Sequence, residues 1–305
     1  MIAPSELAFF VQIVKEGTLS GAARELGVTP AAVSKRLARL EEAVGLPLLN
    51  RTTRRLSVTD AGELYYANAV RILGELEDLE RLLSQDRAAP RGLLRVNAPL
   101  GFGRTYITPI VSDFVKRYPE VEVQLQLSDH PLSLVDESFD IGIRFGEVPD
   151  ARVVATRIAD NRRLVCAAPA YLKAHGVPKV PNDLARFNCI VLRQNDAAYG
   201  TWRFTRGRMT ETVKVRGSLS SNDGEVALNW ALDGHGLLLR AEWDIAKYLR
   251  SGRLQIVLED YTTPPADIHA IYPEKHKLSP KVKLFVEFLA ASFQGQAGTR
   301  PASAW

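Results

Sequence analysis

The chain has 305 residues, more than the roughly 100 to 200 of a usual single domain, so two or three compact units are expected. Its 46% hydrophobic and 24% charged residues exclude a disordered chain, and no apolar run approaches the ~18 residues of a membrane span. The net charge of +4 is unevenly distributed. Residues 24–55 carry seven basic and three acidic side chains, whereas residues 60–86 carry two basic and seven acidic ones. Such a distribution indicates one face that meets a polyanion.

The N-terminus and the cysteines bear on compartment and chemistry. The N-terminus has neither a basic start nor a cleavage-type sequence, which predicts a cytoplasmic protein without a membrane partner. Cys166 and Cys189 are too few for a disulfide framework and lack partners at metal-ligand spacing. We expect no cofactor and no metal. The two cysteines are either ordinary buried residues or a redox pair.

Three helices are predicted in the first 45 residues. The first shows apolar residues at helical spacing and ends at Gly17, and a short second helix over 18–26 ends at Gly27. Thr29 offers a capping hydroxyl and Pro30 suits the first helical position, so the third helix begins there.

The third helix has one apolar face and one face of small, polar and basic side chains. Two helices joined by a tight turn, with such a face on the second, are typical of a helix-turn-helix that enters the major groove of DNA. The candidate DNA-binding residues of this helix are Thr29, Pro30, Ala31, Ala32, Ser34, Lys35 and Arg39.

Two short extended pieces around a basic tip follow over 46–59 and predict a wing. Its arginines are suited to phosphates or to an adjacent minor groove. The candidate residues are Arg51, Thr52, Arg54 and Arg55. A solvated hairpin with surface arginines is the alternative, and the preceding helix favours the wing.

A capping signal at Thr59 and Asp60 opens a long helix that reaches Leu83, about 36 Å at ~1.5 Å per residue. Its apolar residues step by three and four, as in paired helices. This linker seam comprises Tyr66, Ala69, Leu73, Leu76, Leu79 and Leu83. The helix is either part of a core or a dimer-forming linker, and we favour the linker because nothing nearby in sequence is available to cover the seam.

Beyond a boundary at residues 87–92, predicted strands and helices alternate. Strands are expected over 93–98, 121–127, 139–145, 164–168 and 268–272, with helices over 107–118 and 281–293. This order predicts a largely parallel sheet flanked by helices. Two lobes with two crossings are similar to a periplasmic-binding-protein fold.

The predicted fold class is α/β overall. The predicted domains are a mainly α winged helix-turn-helix over 1–59, a linker and dimerisation helix over 60–87, and an effector-binding domain over 88–305. Its lobe I covers about 91–160 and 267–293, and its lobe II about 161–266.

A ligand is expected between the lobes, where strand ends and helix N-termini favour anions. The candidate effector-binding residues are Pro99, Leu100, Phe102, Gly103, Ser128, Arg144, Phe145, Ser221 and Asn222, with the neighbouring acids Asp129 and Asp223. Arg144 is suited to hold a carboxylate bidentately, and a structural ion pair with an acid such as Asp140 explains it equally well. The expected effector is a small organic or aromatic acid.

One ordered pattern spans about sixty residues: Ala22-Ala23-x-x-Leu26, then Ala32-Val33-Ser34-x-x-Leu37-x-x-Leu40-Glu41-x-x-x-Gly45-x-x-Leu48-x-x-Arg51, then Leu56-x-x-Thr59-x-x-Gly62. It resembles the DNA-binding segment of LysR-type transcriptional regulators. The resemblance implies a homodimer or dimer of dimers that binds double-stranded DNA at an interrupted inverted repeat and changes DNA bending when a small effector binds. Many members of that family offer a hydroxyl directly after the first strand of the effector domain, whereas this chain has none before Thr105.

Two other functional classes compete with a DNA-binding regulator. A solute-binding protein explains the two lobes but not the first ninety residues. An enzyme is disfavoured because the five histidines are scattered and no G-x-S-x-G or phosphate-loop pattern occurs, although a triad of distant residues is not detectable this way.

Overall fold

The computed structural model describes residues 2–51, 56–83, 90–129, 139–147, 152–193, 200–277, 279–297 and 305. The chain divides into two compact units, Met1–Ala88 and Ala89–Trp305. Thr52, Arg54 and Arg55 of the predicted wing lie outside the described residues. The further division into a linker helix stays a prediction.

The first unit is mainly helical. Its elements are α1 (Pro4–Glu16), α2 (Leu19–Glu25), α3 (Pro30–Val44), β1 (Leu49–Arg51), β2 (Leu56–Val58) and α4 (Asp60–Leu83). The strands pair antiparallel, from Leu49 opposite Val58 to Arg51 opposite Leu56. This hairpin corresponds to the base of the predicted wing.

Local sequence signals set the start of α3. The Thr29 Oγ1 accepts a hydrogen bond from the Ala32 amide at 3.2 Å, and Pro30 is the first helical residue, both as predicted. The helix ends at Gly45, which has a φ of 78° that disfavours other residues. Fully buried side chains from α1, α2 and α3, including Phe10 and Ile13, form the core beneath this helix.

The second unit contains two sheets and their covering helices. Its strands are β3 (Gly92–Pro99), β4 (Val121–Ser128), β5 (Ile141–Phe145), β6 (Val153–Ala159), β7 (Arg163–Ala167), β8 (Cys189–Leu192), β9 (Thr201–Arg206), β10 (Met209–Lys214), β11 (Ser220–Ser221), β12 (Leu237–Ala241), β13 (Gln255–Val257) and β14 (Ile268–Pro273). Its helices are α5 (Leu100–Phe102), α6 (Thr108–Arg117), α7 (Pro169–His175), α8 (Gly224–Leu232), α9 (Glu242–Arg250) and α10 (Pro280–Ala297), with a π-helical turn at Gly103–Ile107 and 3-10 turns at Pro181–Arg186 and Glu274–His276.

Each lobe is built on one five-stranded sheet. Lobe I has the order β4-β3-β5-β14-β6, and lobe II has the order β11-β8-β12-β7-β13. A separate β9–β10 hairpin belongs to the lobe II core, where Trp202 and Phe204 are buried.

The sheets are mixed, which corrects the prediction of a largely parallel sheet. In lobe I, β3 pairs parallel with β4 and β5, but β14 runs antiparallel to β5 and β6. The cause is the double crossing: β6 leads the chain out of lobe I and β14 leads it back, so the two strands run in opposite directions. Lobe II repeats the arrangement, with β12 antiparallel to β7 and parallel to β8.

The two crossings between the lobes are hydrogen-bonded to each other. The Asn161 side-chain amide donates to the Ala266 carbonyl at 2.9 Å, and the Asn161 main-chain amide donates to Asp267 Oδ1 at 3.1 Å. Helix α9 lies beside this hinge and joins both cores, since Trp243 and Ala246 pack in lobe I while Ile245 packs in lobe II.

Candidate functional site

The predicted recognition helix presents its polar face to solvent. Val33, Leu37 and Leu40 are buried, which fixes the opposite face outward. All seven predicted DNA-binding residues of this helix are exposed: Thr29, Pro30, Ala31, Ala32, Ser34, Lys35 and Arg39. Small side chains around two exposed cations allow close approach to base edges and phosphates.

One basic residue of α3 has a structural role instead. The Arg36 guanidinium donates to both Glu6 oxygens, at 2.9 to 3.3 Å, and to the Ser5 carbonyl at 3.0 Å, and it lies 4.3 Å from the centre of the Phe9 ring. These contacts join α3 to α1. Arg36 is therefore not part of the free basic face, although it contributes to the charge of this segment.

Glu41 attaches the hairpin to α3, a role that sequence reasoning missed. Its Oε1 accepts hydrogen bonds from the amides of Leu48 and Leu49 at 2.9 and 3.1 Å. The carboxylate thereby orders the chain just before β1. Glu41 belongs to the sequence pattern that resembles LysR-type regulators. An acid at fixed spacing before a glycine and two leucines was the sequence signal that could have predicted this contact.

Part of the linker seam is covered by its own chain, which corrects the expectation that nothing nearby in sequence covers it. Ala69 is fully buried against Leu7 and Val11 of α1, with Tyr66 and Leu73 packed on the same cluster. The first half of the seam is thus covered by the same chain. Further along α4, Leu76 is half-buried and Leu79 is 52% exposed, and α4 ends at Leu83.

A cleft opens between the lobes of the second unit, with a cavity volume of about 160 Å³. This is close to the ~150 Å³ of a cavity that accommodates a benzene-sized molecule. Six of the nine predicted effector residues line it: Pro99, Leu100, Phe102, Ser128, Phe145 and Asn222. The acids Asp129 and Asp223 line it as well.

The structure places Gly103, Arg144 and Ser221 outside the cleft lining, and each has another role. A Cβ on Gly103 would lie 2.3 Å from Leu127 Cδ2, so this glycine permits close packing. Arg144 is buried beside the cleft-lining Phe145 on the same strand, where successive side chains point to opposite faces. Its guanidinium donates to the Ile143 carbonyl at 2.8 Å. The Ser221 Oγ accepts a hydrogen bond from the Asp223 amide at 3.0 Å.

Two polar contacts connect the lobes at the cleft. The Arg104 guanidinium lies 2.7 Å from Glu225 Oε2, and the Asn222 amide donates to Asp129 Oδ2 at 2.5 Å. Each contact joins a lobe I residue to a residue near the start of α8 in lobe II. These contacts bridge the two lobes across the cleft.

A group of charged residues in the cleft was missed by sequence reasoning. Arg240 Nε donates to Asp244 Oδ2 at 2.5 Å, and the two side chains are 8% and 17% exposed. Burial raises the pKa of Asp244 despite the attraction of Arg240. Burial, with the nearby charge of Arg240, lowers the pKa of Arg163.

Arg163 and Trp243 bring to the cleft hydrogen-bond donors that have no partner among the described residues. Arg163 makes no side-chain hydrogen bond or ion pair there, although its guanidinium is largely removed from water. The Trp243 indole N–H is buried and likewise unpartnered. Because an unpaired buried cation or donor is costly, both groups favour an acceptor supplied from outside the chain.

The cysteines show no sign of redox chemistry. Both are buried, and burial raises the pKa of Cys166 and of Cys189 to about 12, so the thiols stay protonated and poorly nucleophilic near neutral pH. Within the described ranges, no cluster of potential metal ligands occurs. The helices in the same part of the chain include none long and apolar enough to cross a membrane.

A helix-turn-helix with an exposed polar face, together with a two-lobed domain around a ligand-sized cleft, defines the class of ligand-responsive DNA-binding proteins. The chain belongs to the LysR family of transcriptional regulators. Residues 4–63 match the model of the bacterial regulatory helix-turn-helix protein, lysR family, and residues 87–294 match that of the LysR substrate binding domain. Members bind DNA through the first domain and a small effector through the second.

Named relatives cover nearly the whole chain. It is 39% identical to the HTH-type transcriptional activator TtdR and 38% identical to the HTH-type transcriptional regulator DmlR, both of Escherichia coli K12. The matches cover 96% and 95% of this chain and 94% of each relative. Among solved structures, CrgA, a LysR-type transcriptional regulator from Neisseria meningitidis, is 29% identical with a TM-score of 0.59, covering 96% of this chain and 99% of CrgA.

Proposed function

We propose that the chain is a homodimeric regulator that binds an interrupted inverted repeat in double-stranded DNA and responds to a small organic acid held in the cleft. The observation that carries the effector proposal is Arg163, a largely buried cation in the cleft that has no acid partner among the described residues. An anionic ligand would supply the missing charge.

The surroundings of Arg163 favour a carboxylate in particular. The unpartnered Trp243 N–H is a second donor, and a carboxylate accepts from two donors at once. Arg240 is already engaged by Asp244. Arg163 is a partly buried cation of the cleft lining whose side-chain donors have no acceptor among the described residues. The apolar rim of Leu100, Phe102 and Phe145 suits a small hydrocarbon or aromatic body.

The effector proposal is tested by thermal-shift measurements on the full chain with acetate, benzoate and phthalate, and with benzyl alcohol as an uncharged counterpart. We expect at least one carboxylate to raise the melting temperature and the alcohol to have no effect. Arg163→Gln should weaken that binding by about 10- to 100-fold, the effect of losing a charge-assisted hydrogen bond.

Arg203→Gln is the matched control, since it removes the same charge from an exposed site on β9. It should bind the carboxylate as the unaltered protein does. Equal binding by the Arg163→Gln and Arg203→Gln variants, or no stabilisation by any carboxylate of the panel, would reject the anionic effector.

The DNA proposal assigns base readout to the exposed face of α3. With a duplex selected from a random library by the unaltered protein, Lys35→Ala should reduce discrimination against single-base variants by about 10-fold, as expected for one lost base contact. Fluorescence anisotropy at fixed salt measures the ratio. Lys15→Ala removes the same charge from the exposed end of α1 and should leave the ratio unchanged. An unaltered ratio in Lys35→Ala would remove this residue from base readout.

The dimer proposal rests on Leu79, the exposed leucine in the second half of the linker seam. A leucine that is 52% exposed on a helix of 24 residues is expected to pack against a second copy. Leu79→Asp should raise the dimer dissociation constant at least about 30-fold, since burial of one leucine contributes about 2 kcal/mol. Light scattering of the full chain reports the mass.

Leu64→Asp is the control for this substitution. Leu64 lies on the same helix and is 68% exposed, but it is not part of the linker seam. Its substitution should preserve the dimer. A dimer of unchanged mass in Leu79→Asp would show that the seam does not hold two copies together.

A further inference from the structure

Trp305 is separated in sequence from the other described residues by positions 298–304, and it is buried in lobe I with only 3% of the residue exposed. Its ring centre lies 5.0 Å from that of Tyr106, 5.9 Å from Phe293 and 6.1 Å from Phe102, all in edge-on contacts. Such contacts between aromatic rings are favourable and orientation-dependent. Trp305 also lies beyond residues 87–294, which match the family domain.

Two hydrogen bonds connect Trp305 to parts of the molecule outside that aromatic cluster. The indole N–H donates to the carbonyl of Asp160 at 3.0 Å, in the first crossing between the lobes. The Arg250 guanidinium donates to the main-chain oxygen of Trp305 at 2.5 Å. One residue therefore contacts lobe I, the hinge and the last residue of α9.

Helix α9 is the element that such a contact would control. At its N-terminus, Glu242 accepts two hydrogen bonds from Arg162 of the hinge, at 2.8 and 2.9 Å. At its C-terminus, Arg250 is held by Trp305. Between these ends, Trp243 packs against Phe102 with ring centres 5.4 Å apart, and its carbonyl accepts a hydrogen bond from the Tyr106 hydroxyl at 3.3 Å.

We propose that Trp305 is a positioning residue that clasps α9 to lobe I and thereby sets the spacing of the two lobes around the cleft. Phe102 belongs to the lobe I side of this contact and Trp243 to the α9 side, and both residues line the cleft. Removal of the indole leaves a void beside Phe102 and removes the packing that fixes the main-chain oxygen bound by Arg250. The C-terminal end of α9 then loses this link to lobe I, while Trp243 and Ala246 still pack there. The lobe spacing then varies more widely.

The clasp sets lobe geometry without a ligand, so its test does not depend on the proposed effector. Only its consequence for ligand binding rests on the proposed function. Spin labels are attached to cysteines introduced at Lys116 on α6 in lobe I and at Met209 on β10 in lobe II, which are both exposed. Cys166 and Cys189 are buried, and burial raises the pKa of both thiols to about 12, so they should label far more slowly than the exposed introduced cysteines.

The distance distribution between the labels is measured by pulsed electron paramagnetic resonance on the full chain. We expect one narrow distribution for the unaltered protein and at least a two-fold broadening in Trp305→Ala. Trp305→Phe, which keeps an aromatic ring in the cluster, should restore most of the narrow distribution. Arg250→Gln should broaden it while leaving the aromatic cluster intact.

Arg253→Gln is the matched control, because it removes the same charge just beyond α9 from a residue that lies over the Tyr248 ring. It should leave the distribution narrow. Where Trp305→Ala does not fold, as judged by circular dichroism, Arg250→Gln decides. A folded Trp305→Ala or Arg250→Gln protein with the unaltered distribution would overturn the clasp.

Discussion

Gly62→Ala is expected to destabilise the N-terminal unit by about 3 kcal/mol and to abolish most DNA binding at 37 °C. A Cβ at this position would lie 2.0 Å from the main-chain oxygen of Leu48 and 2.6 Å from Val58 Cγ1. Neither neighbour can move cheaply, because Leu48 is fully buried in the core and precedes β1. Overpacking of this kind usually costs about 1 to 3 kcal/mol, and the helix propensity gained from alanine is at most ~1 kcal/mol.

The loss is large against the roughly 5 to 15 kcal/mol that stabilises a typical domain. Hydrogen exchange of the full chain reports it separately for each unit, and peptides from α3 and α4 should lose protection while those from the lobes keep it. Glu63→Ala introduces the same side chain at the next, exposed position of α4 and should change neither protection nor binding. Native protection of α3 in Gly62→Ala would contradict the close packing of α4 on the hairpin.

Features set by local chemistry were predicted well. The start of α3 at Pro30 follows from a capping threonine and a proline, which act within four residues of each other. The exposed face of α3 follows in the same way from the spacing of Val33, Leu37 and Leu40. Cleft residues such as Pro99 and Ser128 were found because each ends a strand, and strand ends can be read from hydrophobic runs.

Features set by long-range packing were not predictable. The periodicity of α4 indicates an apolar face but does not identify its partner, so Ala69 was assigned to a second copy although it packs on Leu7 of the same chain. Arg144 and Phe145 are neighbours on one strand, and only the pleat decides which side chain reaches the cleft. The prediction therefore chose the correct strand end but, for Arg144, the wrong face of the sheet.

The charged residues of the cleft were missed for a related reason. Arg163 follows the first crossing, and Arg240 lies near the end of an apolar strand. From sequence, a charge at either place is typical of a solvated strand end. The antiparallel pairing of β7 with β12 brings both arginines into one recess, and this pairing depends on the double crossing of the chain.

Asp244→Ala is expected to destabilise the second unit by about 3 to 5 kcal/mol, the usual cost of removing one partner from a buried ion pair. Arg240 is only 8% exposed on its side chain and would stay charged without its nearest acid. It cannot move toward α8, because a Cβ on Gly224 would already lie 2.0 Å from its Nη2. Urea unfolding measures the loss. Asp233→Ala, at the exposed end of α8, removes the same charge and should cost less than ~1 kcal/mol.

Replacing both partners distinguishes the attraction within the ion pair from the cost of burying its charges. Arg240→Met combined with Asp244→Leu removes both charges and keeps most of the volume, so it should recover much of the stability lost in Asp244→Ala. Recovery is expected because the desolvation of two charges offsets most of their attraction. A double variant as unstable as the single one would show that the pair contributes through specific contacts instead.

The pH dependence of stability shows whether burial or the attraction of Arg240 has the larger effect on the pKa of Asp244. Because burial raises the pKa of Asp244 above its ordinary 3.8, the folded protein favours the protonated acid. Its contribution to the free energy of unfolding is fully present below about pH 3.8 and is lost as the pH rises through the folded-state pKa. The stability of the unaltered protein minus that of Asp244→Asn should therefore fall between pH 4 and the raised pKa. A difference that rises with pH would mean that the attraction of Arg240 outweighs burial, with the pKa of Asp244 below its usual value.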